Sequence, residues 1–179
     1  MSGKTKISIA VLWFMVLLSV IWLFVPSVST KGIGVFRWFN PEKVYISVDP
    51  SLSEVVWPVA EAAKFVDQYT ASKMVFGNCR KGSRCITMRE NPKLPITVAG
   101  RASWTRERLT VRVEFNSSYA DKPHDALLRL VIHELGHTFG IHGHNPECTS
   151  VMFAYLTCGR GVPPPQSFTA EEIKTLERH

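Results

Sequence analysis

The sequence predicts an α+β domain built on a mixed sheet. Three observations carry that expectation. Short runs of β-branched and apolar residues, the clearest alternating with period two, recur between residues 44 and 115. A longer run, from about Asp121 to Phe139, repeats its apolar residues at helical spacing. A further helical pattern begins at Phe168, after a glycine- and proline-rich stretch. The order is strand, helix, several strands, helix, irregular loop, helix.

The first 26 residues stand apart from that domain. Lys4 and Lys6 precede a run from Ile7 to Val25 of 19 residues without charge, glycine or proline. As a helix it extends about 28 Å, at roughly 1.5 Å per residue. That just spans a bilayer and is long for a signal-peptide core of about 7–15 residues. Residues 1–26 are expected to be a transmembrane signal anchor or a cleaved signal peptide; Ser27-Val28-Ser29, small residues after Pro26, keep the second reading open. Under either reading the lysines stay inside and the chain beyond about residue 30 is exported. The protein is then single-pass and membrane-anchored with an extracytoplasmic domain, or secreted. Residues 27–42 read as a juxtamembrane linker and 43–179 as the folded domain.

Within that domain Val44 to Val48 reads as a strand, stopped by Asp49-Pro50. Ser51 and Glu54 have capping-box spacing, and Val59, Ala62, Ala63 and Val66 follow at helical spacing. Pro58 either kinks this helix or marks its first turn. Lys73–Phe76, Arg84–Met88 and Ile96–Val98 are short strand candidates. Leu109, Val111, Val113 and Phe115 alternate with Thr110, Arg112 and Glu114 in a clearer one. Asp121-Lys122-Pro123 suits a helix start and Gly140 its C-terminal cap. At the last helix Thr169 and Glu172 have capping-box spacing, and Phe168 and Ile173 staple spacing.

Export puts the four cysteines in an oxidising compartment, where two disulfides are expected. Cys79–Cys85 and Cys148–Cys158 are the favoured pairs because each closes a short local loop. A second zinc site is the rival reading, disfavoured by spacings longer than a zinc knuckle's. The formal charge is +6, of which Lys4 and Lys6 supply two. Lys81, Arg84, Arg101, Arg106 and Arg108 read as solvated loop charges. No nucleic-acid motif is visible, and the mild basic balance favours an anionic partner surface only weakly.

The chemistry lies in His133-Glu134-Leu135-Gly136-His137. Histidines four apart on a helix leave the same face one turn apart and can share one Zn²⁺ at about 2.0–2.1 Å. Glu134, beside the first of them, is placed to act as general base toward a zinc-bound water. His142 and His144 follow closely and are the candidates for a third ligand.

The segment His133–Gly140 resembles the metzincin zinc metallopeptidases, and most closely the matrixins, the matrix metalloproteinase-like group. Their pattern is H-E-x-x-H-x-x-G-x-x-H followed by a methionine turn, which Ser150-Val151-Met152-Phe153 resembles. Leu127–Ile132 resembles the lead-in to their active-site helix, and Phe168–Ile173 the start of their last helix. The resemblance implies a zincin-like metallopeptidase domain over residues 43–179. Its parts would be a mixed twisted sheet, an active-site helix, a Met-turn and a C-terminal helix. It also implies one catalytic zinc and a protein or peptide substrate, bound as an extended segment against an edge strand. Residues Ala99–Trp104, leading into Leu109–Phe115, are candidates for that edge.

One departure matters. The position where the family has its third histidine is Gly143 here. The distance to Met152 favours His144, with one residue inserted before it; His142 is the alternative, and Glu171 or Glu172 a carboxylate substitute if neither serves. Met152 is expected as the apolar floor under the histidines and Tyr155 as a wall of the specificity pocket, while His124 and His179 are assigned no part. The expected function is a zinc-dependent endopeptidase. A non-catalytic zinc-stabilised binding domain and a cell-wall peptide amidase are the competing readings, and retention of Glu134 argues against the first of these.

Overall fold

A computed structural model describes residues 42–52, 57–105, 109–155, 157–158 and 165–179. The expected anchor, all of the linker but its last residue, the capping-box glutamate Glu54, and Arg106 and Arg108 lie outside the described residues. Among the described residues no helix is long and apolar enough to cross a membrane.

Five strands form one mixed sheet: β1 (Lys43–Val48), β2 (Lys73–Phe76), β3 (Cys85–Glu90), β4 (Gly100–Trp104) and β5 (Thr110–Phe115). Their order is β2-β1-β3-β5-β4. The first four in that order run parallel, and β4 pairs antiparallel to β5 at the edge. Parallel neighbours need a crossover; helix α1 (Val59–Asp67) supplies it between β1 and β2. Pro58 caps α1 rather than kinking it, and its carbonyl accepts from Ala62 N at 3.0 Å. The alternating residues Val44, Ile46, Ile86, Met88, Val111, Val113 and Phe115 are buried, with Val59, Ala62, Ala63 and Val66 of α1 in the same core. Trp57 stacks on Phe115 with ring centroids 4.8 Å apart and donates its indole N–H to Glu90 at 2.6 Å.

Ile96–Val98 is not a strand. It is a turn in which Val98 N donates to Pro95 O at 2.8 Å, and Ile96 is three-quarters exposed. Asn116 fixes this turn: its side-chain amide donates to the carbonyls of Leu94, Pro95 and Val98. Period-two alternation over three residues cannot separate a strand from a turn held by a distant side chain.

Helix α2 (His124–Thr138) starts behind Pro123 and buries Leu127, Leu128, Leu130, Val131, Ile132 and Leu135. It ends in a Schellman motif: Ile141 N donates to Gly136 O at 3.1 Å and Gly140 N to His137 O at 3.2 Å. That closure needs Gly140 at φ +90°, where an L side chain is strained. Helix α3 (Ala170–Leu176) begins with the Thr169/Glu172 capping box. Cys79–Cys85 and Cys148–Cys158 are disulfide-bonded.

Glu114, on the polar side of β5, is buried rather than solvated. Register brings Arg89, Glu114 and Arg101 into one row across β3, β5 and β4. Glu114 accepts from Arg89 Nε at 3.0 Å, Asn91 Nδ2 at 3.1 Å and Arg101 at 2.8 Å. Burial pulls its carboxyl up, but the two guanidiniums overcome this and hold it below the ordinary value. Arg101 is therefore part of an ion-paired edge strand, not a solvated loop. Glu114→Gln should cost about 2 kcal/mol near neutral pH, between the values for exposed and fully buried pairs because both arginines are half exposed. A carboxyl with a depressed folded pKa stabilises above its unfolded value and loses that contribution as pH falls. Denaturant melts should show the mutant's deficit shrinking below about pH 4; an unchanged deficit would contradict the ion-pair account.

Candidate metal centre

Helix α2 places His133 and His137 one turn apart, and the chain after Gly140 returns His144 to them. These three residues offer ligand atoms that all lie within 4.8 Å of one another. His144 stacks on His133 with centroids 5.1 Å apart and meets His137 edge-on at 5.2 Å. His142 is exposed and outside the cluster, though it lines a cavity beside it.

The backs of the two helical imidazoles are fixed. His133 Nδ1 lies 2.9 Å from Val151 O, and His137 Nδ1 lies 2.8 Å from Ile141 O. A carbonyl only accepts, so Nδ1 carries the proton in each ring and Nε2 is left with its lone pair. The two Nε2 atoms face each other at 3.1 Å. Two donors about 2.05 Å from one tetrahedral ion sit about 3.3 Å apart, so the spacing suits a shared cation. Burial, then the neighbouring His137, pushes His133 down to about 3; burial likewise lowers His137. Both favour the neutral, metal-binding form.

The segment Ser150–Phe153 holds this arrangement from below. Met152 is fully buried, and a Cβ added to Gly136 would meet its sulfur at 2.6 Å. Met152 O accepts from Asn145 N at 2.9 Å, which pins the chain one residue past His144. Upstream, Gly143 takes φ +75° in open space, so the loop turns there before the pinned point. Glu172 joins the same segment to α3: its carboxylate accepts from Ser150 Oγ at 2.5 Å and from Thr169 N at 2.7 Å. The carboxylate weighed as a substitute ligand is thus occupied as a cap and tether. Sequence reading found the capping box and missed the tether, because nothing in the spacing shows that Ser150 lies over α3.

Glu134 is buried at the edge of the cluster. Its Oε1 would be 2.6 Å from a Cβ at Gly100, so a side chain there on β4 would push the carboxylate out of its place. Its Oε2 is shut off from solvent with no hydrogen-bond partner among the described residues. Burial raises this carboxyl to about 8, against the Ala102 backbone amide, which lowers it. Cavities of about 410 and 360 Å³ share Gly100, Glu134 and His144 in their linings. Residues 99–100 of the chain line the first, while Arg101, Ala102 and Trp104 line the second. Tyr155 lines the larger one and is mostly exposed. His124 is exposed near Glu61, and His179 is buried against Gly140; neither joins the cluster.

Among solved structures, this fold is similar to that of archaemetzincin from Methanopyrus kandleri. The two are 16% identical with a TM-score of 0.53, over 76% of this chain and 94% of that one. Two structures of myroilysin are also similar. One is 15% identical with a TM-score of 0.53, over 80% of this chain and 85% of that one. The other is 14% identical with a TM-score of 0.54, over 79% of this chain and 93% of that one. No protein-family model matches the chain, and no curated protein does. At these identities the likeness shows the fold.

The buried carboxyl makes a prediction for the metal-free protein. Between pH 4.5 and about 8 the folded chain keeps a proton on Glu134 that the unfolded chain has lost. Stability therefore falls as pH rises through that window, by on the order of 1.4 kcal/mol per pH unit. Glu134→Gln removes this dependence. Chelated Glu134→Gln should melt well above chelated wild type at pH 8.5 and close to it at pH 4.5; an equal gap at both would contradict a raised carboxyl. Gly136→Ala should cost about 1–3 kcal/mol by driving a methyl into Met152, read as a lower melting temperature.

Proposed function

We propose that this protein is a zinc-dependent endopeptidase, with His133, His137 and His144 as ligands, Glu134 as general base and Met152 as the floor beneath them. The observation that carries the reading is the pair of Nε2 lone pairs 3.1 Å apart beside a third imidazole. Such a grouping is poor for a metal-free fold and suited to a borderline-soft ion that takes nitrogen ligands. The likeness to archaemetzincin supports a metzincin-type assignment. The finer matrixin assignment rests on the sequence motifs alone.

His133, His137 and His144 would hold the zinc, which when bound would supply a water acidified toward a pKa of about 7. The charge of a bound ion would favour the ionised carboxylate over the neutral form that Glu134 keeps in the metal-free protein; Glu134 would then take a proton from the water and deliver it to the leaving amine. Its unpartnered Oε2 is the atom free for this role. Val151 O and Ile141 O hold the imidazole rings in one orientation. Edge strand β4 supports the substrate: its residues line both flanking cavities, as an extended peptide pairing across the cluster requires. Glu134 lies against Gly100 of the same strand, which keeps its carboxylate beside the substrate path. Two disulfides favour an extracytoplasmic setting, consistent with export by residues 1–26 as anchor or signal. Glu134 distinguishes this reading from a non-catalytic zinc-binding domain.

Purified protein should carry about one zinc per chain, and o-phenanthroline should abolish peptide hydrolysis. Glu134→Ala should keep the zinc and lose at least about 10²-fold in kcat, the usual weight of a general base. His144→Ala should lower zinc affinity far more than His142→Ala, measured by competition with a fluorescent chelator. Equal zinc retention in the two histidine variants would remove His144 from the ligand set, and full activity in Glu134→Ala would overturn the mechanism.

A further inference from the structure

The larger cavity contains a cation that the proposed chemistry does not use. Arg129 lies on α2 one turn before His133, so the two share a helix face, and both line that cavity. Arg129 Nε is shut off from solvent and has no hydrogen-bond partner among the described residues. Asp125, one turn earlier, is exposed and faces His124 instead. Glu134 is the one carboxylate among the described lining residues, and no ion pair joins it to Arg129. Beside these polar groups, Val98, Ala99, Phe153 and Tyr155 give part of the wall an apolar surface. A desolvated guanidinium N–H without an acceptor is costly, and a carboxylate is the acceptor that fits it best, through charge-assisted hydrogen bonds.

We propose that Arg129 selects an acidic side chain, Asp or Glu, at one of the two substrate positions flanking the scissile bond. This rests on the endopeptidase reading, since the cavity opens onto His133, Glu134 and His144. The apolar part of the wall takes the methylenes of the side chain, and Arg129 meets its carboxylate. Sequence alone placed Arg129 among the residues leading into the motif and gave it no role.

The test uses the full chain and two paired probes. Peptides amidated at the C-terminus, differing only by Glu or Gln at each position flanking the cleaved bond, give a ratio of kcat/KM values. A matched pair of peptide hydroxamates, with glutamyl or glutaminyl side chains, gives a binding ratio by calorimetry without turnover. The charged member should be favoured by roughly tenfold in both, the size of one charge-assisted hydrogen bond. Arg129→Met should bring each ratio to about 1, and Arg129→Lys should keep part of the preference. Ratios near 1 in wild type, binding of neither hydroxamate, or a preference that survives Arg129→Met would overturn the proposal. A binding preference without cleavage of any peptide would leave it standing while removing the endopeptidase reading.

Discussion

Two imidazole lone pairs held 3.1 Å apart are the constraint around which this domain is organised. Each ring is turned to that position by a carbonyl behind it, one from Ile141 just past the helix and one from Val151 in the distant methionine segment. Without a cation the arrangement costs electrostatic repulsion between the two lone pairs. The fold sustains it because the backbone groups that orient the rings are themselves fixed by the helix cap and the methionine segment. Site and fold are thus coupled: what holds the rings also closes α2 and seats the chain beneath it.

The segment Ser150–Phe153 shows that coupling most fully. It orients His133 through Val151 O, fills the space under Gly136 with Met152, and holds the chain next to His144 through Asn145. In turn Val151 N donates to Ser167 O at 2.8 Å, and Ser150 is tied to the capping glutamate of α3. The last helix therefore acts as a brace for the metal centre rather than as a source of ligands. On the opposite side the row Arg89–Glu114–Arg101 ties edge strand β4 to the sheet, and β4 is where Glu134 meets Gly100.

Much of this was legible in the sequence, for identifiable reasons. The helix carrying His133 and His137 was readable because ligand spacing, apolar periodicity and a closing glycine agree over one continuous segment. β1 and β5 were readable from alternation, β2 and β3 as short strand candidates between them, and α3 from its capping box. His144 was distinguished from His142 by its distance to Met152, and the Asn145–Met152 hydrogen bond supplies the physical basis for that distance. What escaped depends on sheet register and side-chain reach, which spacing does not encode. Glu114 was placed on a polar face because alternation alone does not reveal that two arginines on neighbouring strands close over it. Ile96–Val98 was taken as a strand because the Asn116 side chain that makes it a turn is remote in sequence. Arg129 and the Glu172–Ser150 tether went unassigned for the same reason.

The central claim is that three imidazoles, with His144 as the third, hold a single zinc. Zinc K-edge X-ray absorption on the metal-loaded full chain tests it most directly. The account predicts three imidazole nitrogens and one oxygen at about 2.0–2.1 Å, with the imidazole signature dropping to two rings in His144→Ala. Sulfur scattering at about 2.3 Å, or three rings retained in His144→Ala, would contradict it.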